Sequence, residues 1–142
     1  MMIRRRKKAY LARSNDINYY LRNRPALKAW RKRWLDAYGG KCAFTQGKVR
    51  GRVHVHHIKA HHIIRDEVFR ELNIKYRQEL DTYTPEELMY IEALYTQKHL
   101  EVKGIPMVRK IHKLFHHTYG YNASLEDLKT FAKKYNLDLG NF

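Results

Sequence analysis

The chain has 142 residues, which is enough for one compact domain with a modest core and too few for two full-sized domains. Its formal net charge is +15, and residues 1–52 hold 16 lysines and arginines beside two acids, so the excess positive charge is amino-terminal. The single cysteine, Cys42, excludes an internal disulfide and a zinc site made of cysteines alone.

The charge and hydropathy also indicate where the chain works and what it binds. No stretch approaches the roughly 18 apolar residues of a membrane span, and the basic start of the chain is not followed by the apolar segment of a secretory signal. We therefore expect a cytoplasmic protein without a membrane partner. A basic block is typical of proteins that bind polyphosphates such as DNA, although it also occurs as a solubilising arm.

The first 40 residues are predicted to form a basic arm and an amino-terminal helix. The arm covers residues 1–15, and the helix has Pro25 near its first turn and Gly39 after its end. Two short strand-like pieces follow, at residues 42–45 and 53–56. The turn-like sequence QGKVRG joins them, which predicts a β-hairpin.

The rest of the chain is predicted to be mainly helical. Asp66 and Thr84 are placed to cap two helices within residues 59–103, a span too long for a structureless loop. GIPMV then leads into a helix with an apolar stripe that ends at Gly120. Ser124 caps a last helix within residues 121–142. We expect one compact α+β domain, with an insertion at about residues 59–103.

The histidines are the candidate functional residues. His112 and His116 are four residues apart on a predicted helix, so both rings project from one face and suit a single metal ion. Taken alone, such a pair is more often two exposed histidines on a basic helix. His56 and His57 end a predicted strand upstream, however, and a strand and a helix that converge on one ion are a much stronger signal.

A hairpin that ends in His-His, followed by a helix with HxxxH, resembles the HNH endonucleases, also called ββα-metal or His-Me finger nucleases. The resemblance covers roughly residues 41–119, from KCAFTQGKVRGRVHVHHI to GIPMVRKIHKLFHHTYG, and is closest to the phage and mobile-element members. It implies an HNH core over residues 41–120. The function it implies is metal-dependent hydrolysis of phosphodiester bonds in DNA, by nicking or double-strand cleavage.

The resemblance also implies a role for each histidine. His56 corresponds to a metal ligand and His57 to the general base that activates water, while His112 and His116 match the remaining ligands. The expected cofactor is a divalent ion, Mg, Mn, Ni or Zn, and the sequence leaves its identity open. His54 shares a predicted strand face with His56 and is a candidate to orient the ligands.

The chain departs from the family at three places, one of which is the insertion at about residues 59–103. Many relatives hold a structural zinc with two CxxC pairs, but the corresponding positions here are Cys42 with Thr45, and Val108 with Ile111, so no such zinc is expected. The asparagine that braces the loop in the family should fall near residue 103, which is Lys103. Either His99 replaces that bracing or nothing does.

Partners and alternatives follow from the same residues. The basic residues expected to contact DNA are Arg4, Arg5, Arg6, Lys7, Lys8, Arg31, Lys32, Arg33, Arg50 and Arg52. A homodimer, or phage or mobile-element partner proteins, is compatible with the sequence. The alternative functions are a catalytically silent nucleic-acid-binding module with a structural metal site, and a domain in which zinc only stabilises the fold.

Overall fold

The structure, a computed structural model, describes residues 13–139. Its elements are α1 (Ile17–Arg22), α2 (Pro25–Ala37), β1 (Val53–His57), α3 (His61–Leu72), a 3-10 turn (Leu80–Thr82), α4 (Pro85–Leu100), β2 (Gly104–Val108), α5 (Arg109–Tyr119) and α6 (Leu125–Lys133). Helices and a two-stranded antiparallel sheet together confirm the predicted α+β class. None of the helices in this range combines the length and apolar character needed to cross a membrane.

The described residues divide into two compact units, each built from two separate stretches of chain. The first unit contains residues 13–28 and 62–99, and the second contains residues 29–61 and 100–139. Most of the predicted insertion therefore belongs to the first unit. The expectation of one compact domain, divided near residues 40 and 120 into arm, core and final helix, stays a prediction.

The first unit is held together by apolar residues at helical spacing, such as Ile64 on α3 and Ile91 on α4, which are fully buried. The predicted start of α4 is confirmed: the Glu87 backbone N–H donates to the Thr84 hydroxyl at 3.1 Å, and the Thr84 N–H donates to the Glu87 carboxylate at 2.9 Å. The prediction that Asp66 caps the start of the helix before α4 is wrong, because Asp66 lies inside that helix. The helix α3 begins earlier, at residue 61, because Ile64 already belongs to its buried stripe.

The sheet of the second unit differs from the predicted hairpin. Strand β1 pairs antiparallel with β2, from Val53 opposite Val108 to His57 opposite Gly104. The predicted partner strand at residues 42–45 is wrong: that segment forms a buried turn, although the Ala43 N–H donates to the Pro106 carbonyl at 2.9 Å. A short apolar run that is buried on all sides carries no periodicity that separates a strand from a turn.

The apolar core of the second unit lies between the sheet, α5 and α6. Its buried residues are Cys42, Ala43, Phe44, Ile105, Met107, Val108, Ile111, Phe115, Leu128, Phe131, Ala132 and Leu139. Three of the four positions compared above with the cysteines of zinc-braced HNH nucleases belong to this apolar cluster: Cys42, Val108 and Ile111. The predicted helix ends are confirmed, since Gly120 (φ +79°) follows α5 and Ser124 forms a capping box with Asp127 at the start of α6.

The first testable prediction concerns Gly104, where β2 begins. A Cβ atom at this position would lie 2.6 Å from Val55 Cγ1 and 3.0 Å from two ring atoms of Trp30. The Trp30 ring has little freedom to move, because its Nε1–H donates to the Val102 carbonyl at 2.8 Å. We expect Gly104→Ala to lower the free energy of unfolding by about 1–3 kcal/mol, measured by urea denaturation.

The control for this prediction is the same substitution in a Val55→Ala background. Removing the Val55 methyl groups takes away the shortest contact, so Gly104→Ala should cost less there than in the wild-type chain. An equal cost in the two backgrounds would contradict the proposed clash with Val55.

Candidate metal centre

Three imidazole side chains converge in the second unit. His56 Nδ1 lies 3.2 Å from His112 Nε2, and His112 Nε2 lies 2.9 Å from His116 Nε2. One nitrogen from each ring falls within 4.8 Å of the other two, in a group that could hold a metal ion. The structure therefore brings together the three residues that the sequence identified as ligands.

The fold explains why these rings meet. Helix α5 follows β2 directly, and β1 is paired with β2, so His56 on β1 faces the helix that carries the other two histidines. His112 and His116 are one helical turn apart and point to the same side. The His56 ring also packs edge-on against the buried ring of Phe115, with 5.1 Å between the centroids. Core packing thus fixes the His56 ring in place.

The second ring nitrogens of His112 and His116 also have hydrogen-bond partners. His116 Nδ1 lies 3.0 Å from the Gly120 carbonyl, to which it donates, so the lone pair is on His116 Nε2. His112 Nδ1 lies 3.2 Å from His54 Nδ1. When His112 Nε2 presents its lone pair to the centre, Nδ1 carries the proton and His54 accepts it in a hydrogen bond. Such contacts orient histidine ligands and select their tautomer.

The surroundings keep the central rings neutral. Burial, followed by the nearby His112 and His116, lowers the pKa of His56 from 6.5 to about 3. Burial, followed by His116 and His54, lowers the pKa of His112 from 6.5 to about 4. Only a neutral imidazole has a lone pair to offer a metal ion, so both rings are ready to bind one at pH 7.

His57 lies elsewhere. Its ring stacks on Trp30, with 4.3 Å between the centroids and 17° between the planes. Successive residues of a strand point to opposite faces, and β1 continues through His57, which pairs with Gly104. The structure therefore places His57 apart from the three converging rings. No pattern in the sequence indicated this contact.

His99 and Lys103 are the two positions considered for bracing. His99 is buried at the end of α4, in the first unit, where its ring lies 5.1 Å from that of Tyr95. The Lys103 carbonyl accepts a hydrogen bond from the Ile58 N–H at 3.0 Å. A backbone contact therefore ties the segment that leaves β1 to the residue before β2.

Basic side chains lie beside the centre. Burial, followed by the charges of Arg52, Arg109 and Lys113, lowers the pKa of His54. Arg52 was among the residues expected to contact DNA, whereas Arg109 and Lys113 were missed. Both are within one turn of His112 on α5, so helical periodicity around the HxxxH pair could have identified them.

The other predicted DNA contacts are more dispersed. Lys32 forms an ion pair with Asp36 at 2.6 Å, and the Arg33 guanidinium lies 5.5 Å from the centre of the Trp34 ring. Arg31 is partly buried, while Arg50 is exposed in the loop before β1. The predicted contacts Arg4, Arg5, Arg6, Lys7 and Lys8 lie outside the described residues.

The lowered pKa values predict how pH affects the stability of the metal-free protein. Between pH 6.5 and about 4 the unfolded chain protonates His56 and His112 while the folded chain does not. The free energy of unfolding should therefore decrease as the pH is lowered through this window, by up to about 1.4 kcal/mol per pH unit for each histidine. Urea denaturation in chelator at pH 4.5, 5.5 and 7.5 measures it.

Two variants control this experiment. His112→Asn should weaken the pH dependence, because it removes one of the two groups, whereas replacing the exposed His117 by alanine should leave it unchanged. A free energy of unfolding that stays constant from pH 6.5 to 4.5 would contradict a buried, neutral centre.

Comparison with known proteins identifies no relative of the chain. No protein-family model, no curated protein and no solved structure matches the chain. The functional assignment therefore depends on the motifs and on the geometry of the centre.

Proposed function

We propose that the chain is a metal-dependent endonuclease of the HNH type, which hydrolyses phosphodiester bonds in DNA by nicking or double-strand cleavage. The observation that carries the proposal is the convergence of His56, His112 and His116, from one strand and one helix, on a common point. The order of β1, β2 and α5 around that point is compatible with the ββα-metal core that the motifs resemble.

The residues fit a divalent cation. Ligands at about 2.0–2.1 Å in a tetrahedral site are separated by about 3.3 Å, and two nitrogen pairs here lie 2.9 and 3.2 Å apart. His56, His112 and His116 would hold the ion, which when bound supplies positive charge to a phosphate oxygen. Three imidazole donors favour Zn or Ni over Mg and Mn, which suit oxygen ligands better.

The remaining groups provide the acid–base chemistry and the binding of DNA. We propose His57 as the base that takes a proton from water, with its ring held on one side by Trp30. This role requires a phosphate at the end of β1, where His56 and His57 are adjacent. Arg52, Arg109 and Lys113 add positive charge beside the centre and suit the phosphates that flank the cut.

The alternative is a nucleic-acid-binding module that keeps the metal site for stability and cleaves nothing. It shares the ligands and the positive charge with the nuclease, so only activity separates the two proposals. The same measurement separates the nuclease from a domain in which zinc has only a structural role.

The metal dependence gives the next prediction. His116→Ala should lower metal affinity at least about tenfold, because even residues that only orient a ligand are worth about 10- to 100-fold. Titration calorimetry with Zn²⁺ and Mn²⁺ measures binding, and conversion of supercoiled plasmid to nicked or linear forms, with and without chelator, measures cleavage. His117→Ala is the matched control, since it removes the next histidine on α5.

Equal metal binding by the two variants would refute the site. Metal binding by the wild-type chain without any chelator-sensitive plasmid cleavage would refute the nuclease and favour the two alternatives, the silent module and the domain with a structural zinc.

The general base is tested by comparing two histidines of β1. His57→Ala should keep its metal and lose about 10²- to 10⁴-fold in cleavage rate. His54→Ala should weaken metal binding instead, because His54 contacts the ligand His112, and excess metal should restore its activity. Near-normal cleavage by His57→Ala, together with a metal-loaded but inactive His54→Ala, would assign the proton acceptor to His54.

A further inference from the structure

Tyr121 is a large aromatic side chain that the sequence did not single out. It is 77% exposed, more than Met89 at 59% or Tyr90 at 51%. An aromatic ring in water buries little apolar surface and contributes little to folding. A single exposed aromatic residue is common on protein surfaces, but this one lies beside the candidate metal centre, where it contacts His116.

The Tyr121 ring is held in a defined orientation. It stacks on His116, with 4.5 Å between the centroids and 16° between the planes. The preceding residue, Gly120, accepts a hydrogen bond from the same histidine at 3.0 Å and adopts a positive φ of 79°. Two contacts thus hold the turn at Gly120 and Tyr121 against His116. Since Tyr121 is largely exposed, the ring face that points away from His116 is open to solvent.

An open ring face next to a phosphate-binding site suits a nucleobase. Every base has a π-face, so stacking on tyrosine binds nucleotides with little regard to sequence. Positive charges also lie near the centre. His54, whose ring contacts His112, has Arg52, Arg109 and Lys113 close enough to lower its pKa. The centre is thus accompanied by cationic groups suited to phosphates and by an aromatic ring suited to a base.

We propose that Tyr121 is a stacking platform for an unpaired nucleobase next to the phosphate that the centre engages. This inference rests on the proposed function and narrows its substrate. Bases inside a paired duplex already stack on their neighbours and cannot reach such a ring without being unpaired. The preferred substrate is therefore DNA with an unpaired nucleotide at the site: a single strand, a bulge, a gap or a frayed end.

The test measures binding in chelator, where no metal-dependent cleavage occurs. Three DNA probes are compared. The first is a 12-nucleotide single strand that contains one 2-aminopurine, the second is a duplex whose one bulged base is 2-aminopurine, and the third is a fully paired duplex. Tyr121→Leu should bind the two unpaired probes roughly 5- to 150-fold more weakly and quench 2-aminopurine less, because base–aromatic stacking is lost. Tyr121→Phe should behave as wild type, and the paired duplex should bind all three proteins alike.

Tyr90→Leu is the matched control, since it removes another exposed tyrosine. Tyr121→Leu binding of the unpaired probes at wild-type strength would overturn the proposal, as would an equal loss on the paired duplex. Loss of Zn²⁺ affinity in Tyr121→Leu with unchanged DNA binding would also overturn it, in favour of a role in supporting His116. Because binding is read without cleavage, a chain that stacks bases but never cuts plasmid would refute the nuclease proposal alone.

Discussion

The pairing of β1 with β2 is the constraint on which the second unit depends. It joins Val53 to Val108 and His57 to Gly104, across the segment that contains α3 and α4. Closing so long a loop costs entropy, which increases only slowly with loop length, and the apolar contacts of the sheet with α5 offset it. Since α5 follows β2 without a linker, this one ladder also sets the distance between His56 and the two helix histidines.

Local chemistry in the sequence was sufficient for much of this structure. The capping pairs at Thr84 and Ser124 and the glycine after α5 mark element ends, because each depends on residues within one turn. That His112 and His116 share one face of α5 follows from helical spacing alone. The strand partner of β1 could not be predicted in this way, because its choice depends on which distant apolar segment completes the core.

The surroundings of the histidines show the same division between local and distant information. Alternation along β1 sends neighbouring histidines to opposite faces, but the stack of His57 on Trp30 depends on where α2 lies. The contact between His54 and His112 depends on the register of the sheet and on the packing of α5. Tyr121 was missed because an exposed aromatic residue after a helix has no distinctive pattern.

The position of the centre along α5 has an electrostatic consequence. His116 lies in the last turn of the helix, which ends at Tyr119, and the carbonyl end of a helix carries about half a negative charge. The three converging side chains are neutral imidazoles and include no carboxylate. The negative end of the helix would attract a cation to this place without the formal charge of a carboxylate, and it does not titrate. Since the helix end offsets only part of the field of a divalent ion, a cation held here would keep a net attraction for an incoming anion.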